Sequence, residues 1–188
     1  MRTLMILVLV SIVVLSGCRK EETLQPLSEY ESADVQARAY NFQIHPGAKF
    51  LEAETALLRR AHFVLQPDAT EAPPMAMYET DAPLEEVATY YAEKYGFPRV
   101  AENELNNFSS AKPAAYFTTG DLAKDTEQVK PILEKLKSTV DTSKAAGPYR
   151  GAHISATGNM PRVTLQRPYF NLVRGEVADR TLIVMVRE

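Results

Sequence analysis

Apolar residues fill Leu4 to Leu15 with only Ser11 among them, and from Arg19 onward the pattern inverts. The apolar run is about twelve residues, short of the roughly twenty that a helix needs to cross the hydrocarbon core of a bilayer. From Arg19 to Asn41 charged and polar positions dominate, and large apolar side chains are few until Tyr40 and Phe42. Such a segment buries too little surface to offset its ordering entropy, so it reads as a tether whose second half, Glu31 to Tyr40, visits helix. Fully extended, roughly 23 residues reach about 75 Å.

The clearest periodicity follows later. Leu84, Val87, Ala88, Tyr91, Ala92 and Tyr95 fall at i, i+3, i+4, i+7, i+8 and i+11, one apolar face of a helix. Asp81 is the expected N-cap, Pro83 the first-turn proline, and Glu85 and Glu86 sit at the positive end of the dipole. Gly96 and Pro98 mark its end. Tyr91 and Tyr95 belong to the core face, whereas Tyr90 lies off it and is free to join a partner surface. Met75 to Glu79 reads as a strand entering this helix after the breaker Pro73-Pro74.

Upstream, Phe42 to Ile44 predicts a short strand, Leu51 to Arg60 a helix and His62 to Leu65 another strand. Asn103 to Gly120 is rich in Asn, Ser, Pro and Thr and reads as irregular. A second helix is expected to start near Lys130, with Pro131 in its first turn, because proline in a helix interior costs about 3 kcal/mol. Val129, Ile132, Leu133, Leu136 and Val140 form its apolar stripe, and Ala145 to Pro148 end it. Gly151 to Ala156 and Met160 to Gln166 flank Gly158-Asn159 as a hairpin. Thr181 to Val186 is apolar on both faces, as a central strand is; Arg174-Gly175 and Asp179-Arg180 mark turns before it. The predicted class is α+β: one domain over residues 42–188, a mainly antiparallel sheet, and two or three helices on one face.

The start of the chain carries the most specific motif. One basic residue, Arg2, precedes the apolar run, which closes on Leu15-Ser16-Gly17-Cys18, the order of charged, apolar and small-residue regions that a secretory signal needs. These four residues resemble the lipobox of bacterial lipoproteins. The resemblance implies that residues 1–17 are removed, that the Cys18 thiol carries a diacylglycerol, and that residues 18–41 link the lipid to the domain. It also implies a membrane partner: one acyl chain binds only reversibly, and the several chains of a lipoprotein hold stably. In lipoproteins of bacteria with two membranes, Asp directly after the lipidated Cys favours the inner membrane; Arg19 stands here, so the outer membrane, facing the periplasm, is expected. The tether, Pro46 to Lys49 and the strand leading into a Tyr-Tyr helix are also similar to small envelope lipoproteins, and that similarity brings no catalytic residues.

Cys18 is the only cysteine, so its lipidation leaves no thiol for a disulfide, for thiolate catalysis or for zinc. Removing seventeen residues from 188 leaves 171, enough for a core in place of cross-links. His45, His62 and His153 are widely spaced and read as surface or edge histidines, with no metal and no cofactor beyond the covalent lipid on Cys18. Glu85-Glu86 and the Glu102/Glu104 pair read either as acid/base dyads or as a first-turn pair and a solvated loop. No Gly-x-Ser-x-Gly, Ser-x-x-Lys or His-Glu-x-x-His occurs.

Charge is unevenly placed. Ala145 to Glu188 holds six Arg and three acids, net +3, and Cys18 to Lys144 fourteen bases and twenty-one acids, net −7. Arg suits bidentate contacts with carboxylates and phosphates. Arg150, Arg162, Arg167 and Tyr169 are therefore the candidate binding residues, for an envelope protein or an anionic glycan or lipid. The other reading is that these Arg stems simply cover apolar surface on solvent-facing strands. Nucleic acid is disfavoured by the compartment and the acidity. The expected function is a non-enzymatic binding or assembly module at a membrane surface, with an envelope hydrolase built from distant residues as the alternative.

Overall fold

A computed structural model of the chain describes residues 40–102 and 114–187; the expected signal segment, Cys18 and most of the expected tether lie outside them. In chain order the elements are β1 (Lys49–Phe50), α1 (Glu52–Leu65), β2 (Met75–Thr80), α2 (Leu84–Lys94), β3 (Ala115–Asp121), α3 (Leu122–Lys135), β4 (Pro148–Ile154), β5 (Arg162–Arg167), β6 (Tyr169–Asn171), β7 (Glu176–Ala178) and β8 (Thr181–Val186). Six strands form one antiparallel sheet in the order β1-β2-β8-β5-β4-β3, and β6-β7 make a separate hairpin. The chain is a single α+β domain.

β8 is buried at every residue, so both of its faces need cover. Ile183 and Met185 point with Ala76, Tyr78, Ala152, Ile154, Val163 and Leu165 into a core closed by Val87, Ala88, Tyr91 and Ala92 of α2. Leu182, Val184 and Val186 point the other way, toward Leu51, Leu58, Met75 and Tyr169. α1 and α3 share that second face and meet through Ala61, Ile132 and Leu136. Two helices thus lie on one face as expected, and the third lies opposite.

The helix read from the Tyr-Tyr pattern is α2, and its end follows the sequence: Gly96 takes φ +77°, and the Phe97 and Gly96 amides donate to the Ala92 and Glu93 carbonyls at 2.8 and 3.1 Å. Its start does not. Asp81 is not the cap; Pro83 holds that position in an extended conformation, and the Asp81 carboxylate turns instead to Arg180 Nε at 3.0 Å. Phe42 to Ile44 is not a strand. The Ile44 carbonyl accepts from Tyr90 Oη at 3.2 Å and the His45 amide donates to Tyr91 Oη at 3.1 Å, so α2 takes the bonds that a sheet neighbour would have made.

His62 to Leu65 continues α1 rather than forming a strand, because no breaker separates Arg60 from Ala61 and the helix runs on to Leu65, just before Gln66-Pro67. Ala115 to Gly120, expected to be irregular, is the edge strand β3, paired with β4 along its length. α3 starts at Leu122, eight residues ahead of expectation. Asp121 caps it, its Oδ1 accepting from the Lys124 amide at 3.1 Å, and Pro131 sits inside the helix on its exposed side. The missing N–H leaves the Glu127 carbonyl without its intrahelical donor, on a stretch where Glu127 and Pro131 are both exposed. The helix ends at Lys135, with Lys137 at φ +54° turning the chain just beyond it, well before Ala145. The Gly151 hairpin and the central strand are found where the sequence placed them.

Because Pro131 removes one helical bond without packing against anything buried, Pro131→Ala is expected to stabilise the fold, by up to about 3 kcal/mol. Urea denaturation of the two proteins measures the gain, and an unchanged or lowered midpoint contradicts it.

Candidate functional site

The four candidate binding residues do not converge. Arg150 and Arg167 are register partners on β4 and β5. Arg150 Nη1 and Nη2 meet Glu85 Oε1 and Glu102 Oε1 at 2.7 and 2.6 Å, and its guanidinium lies 4.2 Å from the Phe117 ring centroid. Arg167 uses its whole fork on the chain: Nε to Asp179 Oδ1 at 3.0 Å, Nη1 to the Asp81 and Ala82 carbonyls at 3.0 and 3.1 Å, and Nη2 to the Asp179 carbonyl at 3.1 Å. Arg162 is at the far end of β5, opposite Val186, with contacts of its own. Tyr169 is buried on the α1/α3 face, where its hydroxyl donates to Glu79 Oε2 at 2.6 Å.

The surplus of C-terminal arginines meets the acidic N-terminal half. Arg180 reaches Glu79 Oε1 at 2.7 Å and Asp81, Arg174 lies 3.9 Å from Glu54 and Glu176, and Arg187 donates to the Tyr40 carbonyl. The Glu85 and Glu102 carboxylates, weighed as acid/base groups, both answer Arg150.

The histidines depart from expectation, since His45 and His62 are buried rather than on the surface. Burial, and then the backbone of Glu71 in the opposite sense, leaves the His62 pKa below its ordinary value. His153 is on β4, inside the sheet, and burial together with Arg162 lowers its pKa to about 4. Among the described residues no group of three or more His, Cys, Asp or Glu is arranged to hold a metal, and no helix is long and apolar enough to cross a membrane.

What the fold does build is a cavity of about 160 Å³ between the sheet and the two helices on its second face. Met77, Leu182 and Val184 form its floor, Leu58 and Ala61 of α1 one wall, and Val129, Ile132 and Leu133 of α3 another. The β6-β7 hairpin closes one side with Tyr169, Phe170 and Leu172. The carboxylates around it are tied to protein donors. Glu54 Oε1 accepts from Asn171 Nδ2 at 2.7 Å, and Asp125 accepts from Tyr149 Oη, although burial raises the Asp125 pKa. Gly120 permits the second pair, for a Cβ there would strike the Tyr149 ring and hydroxyl.

Sequence reading missed this site. The α3 stripe was visible, but the cavity needs α1, β5, β6 and β8 as well, and no local motif joins them. The one available signal was polar side chains at core positions: Glu54 on α1, Thr126 on α3, Thr164 on β5 and Asn171 on β6 are all buried.

The chain matches no family model, and comparison with curated proteins and with solved structures finds no match.

The histidines set a pH dependence. His153 takes up its proton at about pH 4 when folded but near the ordinary 6.5 when unfolded, so between these values the unfolded chain binds more protons. Stability therefore falls as pH drops through that window, and His62 acts in the same direction. In His153→Gln the loss of urea midpoint between about pH 7 and pH 4.5 is expected to shrink but not vanish. An undiminished loss would assign the effect elsewhere.

Proposed function

We propose that this chain is a cell-envelope lipoprotein, anchored through diacylated Cys18 to the outer membrane on its periplasmic side. Its folded domain is a non-enzymatic binding module that takes an apolar group into the cavity beneath α1 and α3. The cavity is the observation that carries this reading. A dry apolar space of about 150 Å³ is known to accept a benzene-sized molecule.

A binding role is supported over a hydrolytic one by the commitments of the buried acids. Glu54, Asp125 and Glu79 each accept from a side chain of the fold, which holds them as cross-links between elements. The anchor rests on the order of residues 1 to 18, and the tether that follows gives the domain a radius of action of about 75 Å from the lipid.

Binding is tested with toluene or indole, observed by calorimetry or by the shift in melting temperature. Wild type is expected to bind one molecule, and Ala61→Leu, which puts three more carbons into the space, is expected to lose the binding while keeping its fold. No binding by wild type defeats the cavity reading.

The anchor is tested separately. Wild type is expected to incorporate radiolabelled palmitate and to sediment with membranes, and Cys18→Ala to do neither. A membrane-bound but unlabelled wild type removes the lipoprotein reading and leaves the cavity untouched.

A further inference from the structure

Resting on the reading of the cavity as a binding site, we infer that its ligand is a single-chain lipid with an anionic head group. The cavity is continuous with a groove of about 1000 Å³ between α1, the end of α3 and the turn joining β6 to β7; Leu57, Leu136 and Leu172 line both. An apolar interior therefore opens directly on a wide mouth.

That mouth is cationic. Arg60, Lys135, Lys137, Lys144 and Arg174 line it, with Asp141 the one carboxylate among the described lining residues; Arg174 lies 3.9 Å from Glu54 and Glu176, so the surplus rests on Arg60 and the three lysines. Asp141 Oδ1 accepts from the Ser143 amide at 3.0 Å, and hydrogen bonding from the Ser143 side chain and then its amide lowers the Asp141 pKa from its ordinary value, so it remains an anion without cancelling the surplus. Arg60 Nη2 donates to the Leu136 carbonyl at 3.3 Å, which fixes the guanidinium at the boundary between groove and cavity, and its buried Nε has no acceptor among the described residues. Lys135, Lys137 and Lys144 are exposed. Like charges crowded on one concave surface repel each other, and an anion placed among them relieves that repulsion.

Charge and apolarity at adjoining places select an amphiphile. A free anion leaves the cavity empty, and a neutral hydrocarbon leaves the cations unanswered. The small cavity admits the end of one chain, which excludes two-chain lipids entering by both tails, and the groove accommodates the head and the remaining methylenes. A membrane-tethered domain would meet such lipids at the surface on which it sits.

Calorimetry on the full chain carrying Cys18→Ala, so that no covalent lipid competes, compares decanoate, decanol and inorganic phosphate at low salt. Decanoate is expected to bind one to one, roughly tenfold or more tighter than decanol, and to weaken as salt is added. Lys137→Glu with Lys144→Glu is expected to weaken decanoate roughly tenfold and to leave decanol within about twofold, with an unchanged melting temperature showing that the fold survives. Equal affinity for decanoate and decanol, unaffected by the charge reversals, overturns the anionic head group and leaves the cavity reading standing. Phosphate binding as tightly as decanoate overturns the requirement for a chain. Failure of both decanoate and decanol overturns the cavity reading along with this one.

Discussion

β8 imposes the constraint on which the rest of the molecule depends. A strand buried at all six residues, Thr181 to Val186, has no face to give to water, so a two-layer arrangement of one sheet and one row of helices cannot satisfy it. α2 covers Ile183 and Met185, and α1 with α3 covers Leu182, Val184 and Val186. The two sides are not equivalent. α2 makes a dense contact in which Val87, Ala88 and Tyr91 are fully buried. α1 and α3 lean on each other through Ala61, Ile132 and Leu136 and leave the space between themselves and the strands incompletely filled.

The second organising feature is the placement of charge. An isolated buried carboxylate is strongly disfavoured, and it persists where donors and cations meet it. Glu79 is met by Tyr169 and Arg180, and Glu54 by Asn171 with Arg174 nearby. These pairs span 90 to 117 residues of sequence. They attach the β6-β7 hairpin and the turn before β8 to β2 and α1. The acidic and basic halves of the chain thus fold against each other, and the charge asymmetry has a structural use before any ligand is considered.

The parts legible in the sequence were those whose signals are local. Gly96 and the tyrosine spacing define α2, and the unbroken apolar run defines β8. Where a local rule competed with a long-range partner, the partner prevailed. Asp81 had the chemistry of a cap and went to Arg180, Phe42 to Ile44 looked like a strand and bonded to the α2 tyrosines, and Pro131 looked like a helix start and was carried on the wet side of a longer helix. Arg150, Arg162, Arg167 and Tyr169 were read together as suited to anionic partners, but the acids that Arg150 and Arg167 meet, Glu85, Glu102 and Asp179, lie on other elements. The cavity was illegible for the same reason: its walls come from α1, α3, the sheet and the hairpin.

The polar cross-links also explain why the space beneath α1 and α3 is not closed by simple collapse. If α1 moved toward the sheet, Glu54 would lose its geometry with Asn171, whose Oδ1 also accepts from the Val173 and Arg174 amides at 2.9 Å and so holds the hairpin turn. If α3 moved, Asp125 would part from Tyr149, whose ring is seated over Gly120. Each helix is therefore pinned near its N-terminal end by a polar contact, buried for α1 and half-buried for α3, that tolerates little displacement, while the apolar side chains farther along could shift at lower cost. A core held apart in this way keeps its opening at the C-terminal end of α3, where Leu136 and the cations of the groove lie. The same contacts that stabilise the fold thereby fix both the size of the cavity and the side on which it opens.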